Sequence, residues 1–185
     1  MYKKILSMLI IIIILLAISS DGSDRRKTHL SSEEKLMFEL INRERIMQGI
    51  KKLEVSAELC DVARKYALEL AKYNYISHIS IVDGSTPLER VLRSNYYKYY
   101  IGQIGVGENL ARANALDIYN IHKMFMDSRE HAENILNPRY NEVGIAIIHH
   151  NNTTYYVVLF AYRKNFLKTI IVVVAIILMI IIAIL

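Results

Sequence analysis

The chain has one cysteine, Cys60, among 185 residues, so it cannot form an internal disulfide. A domain exported to an oxidising space would therefore rest on its packed core and not on covalent staples. Cys60 falls on the apolar face of a helical pattern, where a thiolate is disfavoured, and reads as a small buried filler. Also absent are G-x-S-x-G, H-E-x-x-H and a phosphate loop, so no known protease or kinase signature is present. No basic run exceeds three residues and acids are interleaved, so the net charge of +5 does not describe a nucleic-acid surface. It suits an anionic envelope or lipid surface better. Internal repeats and low-complexity tracts are missing outside the two ends, and a hydrophobic share of 53% excludes disorder.

What is abundant is aliphatic sequence at both ends. Lys3 and Lys4 precede an apolar run from Ile5 to Ile18, and Ala17-Ile18-Ser19 supplies small residues at its end. That order predicts a signal peptide or signal anchor over residues 1–19, because a helix of this run reaches about 21 Å against a hydrocarbon core of ~30 Å. A linker over 20–33 follows, then a soluble domain over 34–163. The tail over 164–185 predicts a C-terminal transmembrane helix with a basic flank at Arg163, Lys164 and Lys168. A removable lipid-anchor signal fits less well, since Arg163 to Lys168 offers no small-residue site. Basic residues on the domain side argue against export, whereas the first hydrophobic segment usually sets topology and argues for it. The reading adopted is a cell-membrane protein with its domain extracytoplasmic.

Within the domain, Ser31 and Glu34 have capping-box spacing ahead of Leu36, Met37, Leu40, Ile41 and Met47, and Gly49 offers a stop. Ser56 caps a second helix whose Leu59, Val62, Ala63, Tyr66, Ala67, Leu70 and Ala71 share one face. Thr86-Pro87-Leu88-Glu89 opens a short helix expected to turn Leu88, Val91 and Leu92 inward. A fourth helix is predicted from Leu116 to about Ser128, with Ile118, Ile121 and Phe125 on one face. The period then changes: Val143–Ile148 and Tyr155–Tyr162 predict a hairpin around Asn151-Asn152, where two overlapping N-x-T sequons also lie. Helices followed by strands predict an α+β fold.

Three polar groupings interrupt this pattern at element boundaries: Ser77-His78, Gly107-Glu108-Asn109 in a glycine-rich loop, and Ser128-Arg129-Glu130-His131. With Asn42-x-x-Arg45 before them, Asp83-Gly84-Ser85 between them and Asn134-Ile135-Leu136 after them, this order resembles the microbial branch of the CAP (SCP-like, cysteine-rich secretory protein) superfamily over about Glu34 to Tyr162. The resemblance implies a three-layer α-β-α sandwich, here flanked by the two hydrophobic helices. It also implies a surface cleft lined by two histidines and acidic residues that in some relatives holds a divalent metal such as zinc.

His78, Glu108, His131 and Ser128 fall on the matching motifs. His78 and His131 would be the metal ligands, completed by a carboxylate and a water, and Glu108 could instead serve as general base. Animal relatives carry a glutamate three residues after a tryptophan; here Phe125 is followed at that spacing by Ser128, as in the small microbial form, with Glu130 nearby. The same residues also admit structural roles. His78 and Glu108 can hydrogen-bond each other across two loops, Asp83 can cap the turn at Gly84-Ser85, and His131 can be a cation at a helix C-terminus. Tyr96-Tyr97-Lys98-Tyr99-Tyr100 reads as loop cover, and His149-His150 as neighbours on opposite strand faces, unable to share a metal.

The function expected is a membrane-tethered binding or interaction module whose ligand is a lipid, glycan, peptide or envelope protein. A metal-dependent hydrolase acting on envelope peptide or glycan is the alternative, and a purely structural spacer the third reading.

Overall fold

The computed structural model describes residues 29–97, 105–114, 117–163 and 173–181. The expected signal segment, and the tail apart from 173–181, lie outside the described residues. Two compact units are distinguished, the domain Lys27–Arg163 and a unit made of the two ends. In the latter, residues 173–181 are helical, and among the described residues no helix is long and apolar enough to cross a membrane.

The domain is a four-stranded sheet with helices on both faces, an α+β architecture of three layers. In chain order the elements are α1 (Ser32–Met47), β1 (Glu54–Val55), α2 (Ala57–Tyr73), α3 (Pro87–Leu92), β2 (Val106–Ala113), α4 (Ile118–Asp127), α5 (Arg129–Ile135), β3 (Glu142–His150) and β4 (Thr153–Ala161). The strands lie in the order β1-β3-β4-β2. β1 runs parallel to β3 and the other pairs are antiparallel. β3 and β4 form the expected hairpin about Asn151-Asn152, with Asn151 at φ 53°, a left-handed value that asparagine tolerates.

One face of the sheet packs Met37, Leu40, Ile121, Phe125 and Ile135 against Val143, Ile145, Tyr156, Val158 and Phe160. The other packs Leu59, Ala63, Tyr66, Leu70 and Val91 against Leu110, Ala146, Tyr155, Val157 and Leu159. The apolar face expected of α2 is buried as read, and Cys60 with it. That helix sits close to β3 because Gly144 has no side chain: a Cβ there would lie 2.2 Å from the Leu59 carbonyl carbon.

Four local expectations are corrected. The buried face of α1 is Glu34, Met37, Leu40, Ile41, Asn42 and Arg45, while Met47 is 70% exposed. Polar groups take that face because each is satisfied. Glu34 accepts from Arg64 and the Ile147 amide, Asn42 exchanges two bonds with the Leu53 backbone, and Arg45 donates to the carbonyls of Lys51, Ile135, Asn137 and Tyr140. In α3 only Val91 is buried, and Leu88 and Leu92 face solvent, since a six-residue helix presents little more than one turn inward. Gly107-Glu108-Asn109 is no loop but the start of edge strand β2, paired to β4 from Val106 to Ala113. The fourth helix ends at Asp127, as expected, but Ser128 is extended and a new helix begins there, so His131 lies in the first turn of α5 and not at a C-terminus.

Candidate functional site

Alternation along β2 decides which way each polar residue points. Leu110 belongs to the core on the α2 and α3 side, and Ala111 and Ala113 to the core on the α4 and α5 side. Glu108 shares the face of Leu110, and Asn109 the face of Ala111, so adjacent residues of one edge strand serve two clusters.

On the first face, the Glu108 carboxylate is fully buried and bridges an imidazole and a guanidinium. Its Oε1 lies 2.8 Å from His78 Nδ1 and its Oε2 accepts from Arg90 Nη2 at 2.7 Å. Arg90 is held in turn: Nη1 donates to the Ser85 and His78 carbonyls at 2.7 and 3.2 Å, and its guanidinium lies 3.4 Å over the Tyr66 ring. Tyr66 donates its hydroxyl to the Ser77 carbonyl, and burial keeps that phenol well above its ordinary pKa and therefore neutral. Ser80 donates to Glu69 at 2.7 Å, Tyr75 donates to the same oxygen, and the Ser85 amide donates to Asp83 at 2.9 Å. The expected cap at Asp83 is therefore present, and hydrogen bonds from Ser85 hold that carboxylate down at about 2. Hydrogen bonds thus hold the segment from Ser77 to Arg90 at several points, and of the two partners of Glu108 the exposed one is His78, whose side chain is 52% accessible against 10% for Arg90 and 0% for Glu108.

A carboxylate can only accept, so Nδ1 of neutral His78 carries the hydrogen and the Nε2 lone pair is left for the solvent side. This is the chemically available atom of the cluster.

On the second face, Asn109 donates to the His131 carbonyl at 3.0 Å and accepts from Asn134 at 2.9 Å. The His131 ring meets Phe125 edge-on at 5.1 Å. Burial lowers its proton affinity, and the charge of His78 lowers it further, so the two imidazoles sense each other across the strand edge. Gly107 lets α5 come this close, since a Cβ there would stand 2.5 Å from Asn134 Oδ1. Ser128 is the residue before α5, half-buried, and its side chain makes no cap bond.

His78 and Glu108 are therefore in direct contact, whereas His131 reaches the same edge through Asn109 and Ser128 stands at the helix junction. Sequence reasoning did not assign Arg90 or Tyr66 to the site. The available signal for Arg90 was a lone cation beside Val91 in a capped one-turn helix. His149 pairs with Glu33 and Thr154 at the far end of β3 and takes no part.

The residues present do not complete a metal shell. Both Glu108 oxygens are engaged by Arg90 and His78, and among the described residues no group of three or more His, Cys, Asp or Glu side chains is arranged to hold an ion. Cys60 is remote from the cluster and buried, with its thiol pushed up to about 11 chiefly by desolvation, and so is no nucleophile.

Residues 38–162 match the model of the cysteine-rich secretory protein (CAP) family. The uncharacterized protein YkwD of Bacillus subtilis (strain 168) is 32% identical over 119 residues, 64% of this chain and 44% of the relative. The uncharacterized membrane protein YlbC of the same organism is 26% identical over 117 residues, 63% of this chain and 32% of the relative. The chain thus spans less than half the length of these two relatives. Among solved structures, an outer surface protein from Borrelia burgdorferi superposes with a TM-score of 0.61 at 23% identity, over 75% of this chain and 98% of that one, a likeness of fold.

Proposed function

The chain belongs to the cysteine-rich secretory protein (CAP) family, and from that premise we propose that it is a membrane-tethered, extracytoplasmic binding module that takes its ligand at the edge of β2. The observation that carries this reading is the His78–Glu108–Arg90 array, in which two buried charged groups aim one exposed imidazole nitrogen outward. Structural packing alone would not require the ring to stand 52% exposed at the end of a buried ion pair. In this reading Glu108 is a positioning residue and not a base acting on water, because it has no solvent contact. His78 Nε2 is the acceptor that meets a ligand hydroxyl or amide, with His131 beside it.

Tethering is supported by the two aliphatic ends of the sequence and by the name of the membrane relative. An extracytoplasmic location is supported by the signal-like N-terminus and by the outer-surface neighbour of the same fold. Envelope lipid, glycan, peptide or protein are the ligand classes consistent with that place. The test is saturable binding of the full chain, in detergent, to each envelope fraction, with His78→Ala compared directly. Loss of binding in that variant at an unchanged unfolding midpoint is the expected result; equal binding by the variant, or none by the parent chain, removes the reading.

A further inference from the structure

The two ends of the domain differ in what they show to solvent. At the far end, α1 begins beside the β3–β4 turn, where His149 meets Glu33. At the other end, Arg45 gathers the carbonyls of Lys51, Ile135, Asn137 and Tyr140. Asn141 then holds both the amide and the carbonyl of Arg163, the residue at which the described part of the domain ends. Arg163 is further tied to Glu142 and to the Tyr96 carbonyl. The last turn of α1, the loop after it, the loop after α5 and the exit of the chain are thus fixed together on one end of the fold.

That end is amphipathic. Ile46 and Met47 project at 52% and 70% exposure, although helical periodicity placed Met47 in the core. Beside them Lys51, Lys52 and Arg139 are exposed. Glu54 is exposed and Glu44 half-buried on this end, Arg43 is exposed beside Glu44, and Glu142 is buried against Arg163, so the balance is basic. Beyond Arg163 the sequence continues with Lys164 to Lys168 and then the aliphatic run from Thr169. Those intervening residues reach at most about 17 Å when extended.

We propose that this end of the domain rests on an anionic lipid surface, with Met47 and Ile46 entering the headgroup layer and Lys51, Lys52 and Arg139 facing acidic headgroups. The proposal rests on the tethering reading, which holds the end within reach of a bilayer. Two exposed apolar side chains on an end that also exposes three cations are the composition that such an interface favours. The tip of the opposite end is polar instead, formed by the exposed Asn151 and Asn152.

The full chain is reconstituted into vesicles of phosphatidylcholine, alone or with an equal part of phosphatidylglycerol. An environment-sensitive fluorophore is attached at Met47→Cys or, as control, at Asn152→Cys. Cys60 does not compete for the label, being buried and pushed up to about 11. Quenching by headgroup-proximal nitroxide lipid is expected for the Met47 label in the phosphatidylglycerol vesicles and not for the Asn152 label. Each cation near such a surface shifts the docked population about five-fold, so Lys51→Glu with Lys52→Glu should lower it ten-fold or more, on the order of the loss of both contacts. Equal quenching with and without phosphatidylglycerol overturns the anionic preference. A Met47 label as unquenched as the Asn152 label, on chain that survives an alkaline wash of the vesicles, overturns the docking and leaves tethering intact. Chain released by that wash removes the tethering reading and this proposal together.

Discussion

Arg90 Nη2 and Glu108 Oε2 stand 2.7 Å apart with side-chain accessibilities of 10% and 0%, which makes theirs the desolvated ion pair of the cluster. Such a pair is costly to break from one side, because the remaining charge stays buried without its partner. Arg90→Met should therefore destabilise the domain by about 3–5 kcal/mol, and Arg90→Met with Glu108→Leu should recover most of it. Urea unfolding checks this, with the recovery in the double variant as the deciding comparison.

The same pair sets the state of His78. With Glu108 accepting from Nδ1, neutral His78 is held with its hydrogen on that nitrogen. Nitrogen-15 chemical shifts of the neutral ring, recorded at alkaline pH, should show a protonated Nδ1. In Glu108→Gln, where the charge-assisted bond is gone, the hydrogen should redistribute toward Nε2. Shifts identical in the two proteins would separate Glu108 from any positioning role.

Two glycines should respond differently to the same substitution. At Gly107 a new Cβ meets the end of Asn134 at 2.5 Å and the Tyr140 hydroxyl at 3.0 Å, groups that can give way. At Gly144 it meets the Leu59 carbonyl carbon and oxygen at 2.2 and 2.5 Å, and backbone in a packed helix cannot give way without moving α2. Gly107→Ala should cost about 1–3 kcal/mol, and Gly144→Ala should cost more, because overpacking there displaces an element and not a rotamer. Thermal midpoints of the two variants settle the order.

Much of this fold can be read from the chain because its signals are local. Capping boxes at Ser31 and Thr86 lie within four residues of the bonds they make, and the apolar stripe of α2 repeats every turn. Edge strand β2 is a different case. Its residues 106–113 alternate weakly, with glycine and two polar side chains near the start, so the sequence looks like a loop. They form a strand because β4 supplies a long-range ladder. Asn42 and Arg45 belong to the motif order by which the family is recognised, yet their partners are backbone groups up to 95 residues away. A buried face with polar members is legible only when those partners are known. The same holds for the site: His78 and Glu108 stand out as unusual residues, whereas Arg90 looks like an ordinary helix-surface cation until the carboxylate opposite it is placed.

Acid should weaken the domain in a window set by two histidines. His122 and His131 both bind protons less readily in the fold than the ordinary value of 6.5, chiefly because each is buried. His78 depresses His131 further; around His122, Glu44 favours the charged ring and Arg43 opposes it. Below 6.5 the unfolded chain therefore holds more protons than the native one, and stability rises with pH wherever that is so. The contribution is complete above 6.5 and is lost progressively as pH falls from there toward the lowered native values. His122 Nε2 has no hydrogen-bond partner among the described residues, so His122→Phe removes a titrating group without orphaning another. Its unfolding midpoint near neutral pH should change little, while the fall between about pH 6.5 and pH 5 should become shallower than in the parent chain. If the two proteins lose stability in parallel through that interval, His122 is not part of the acid response.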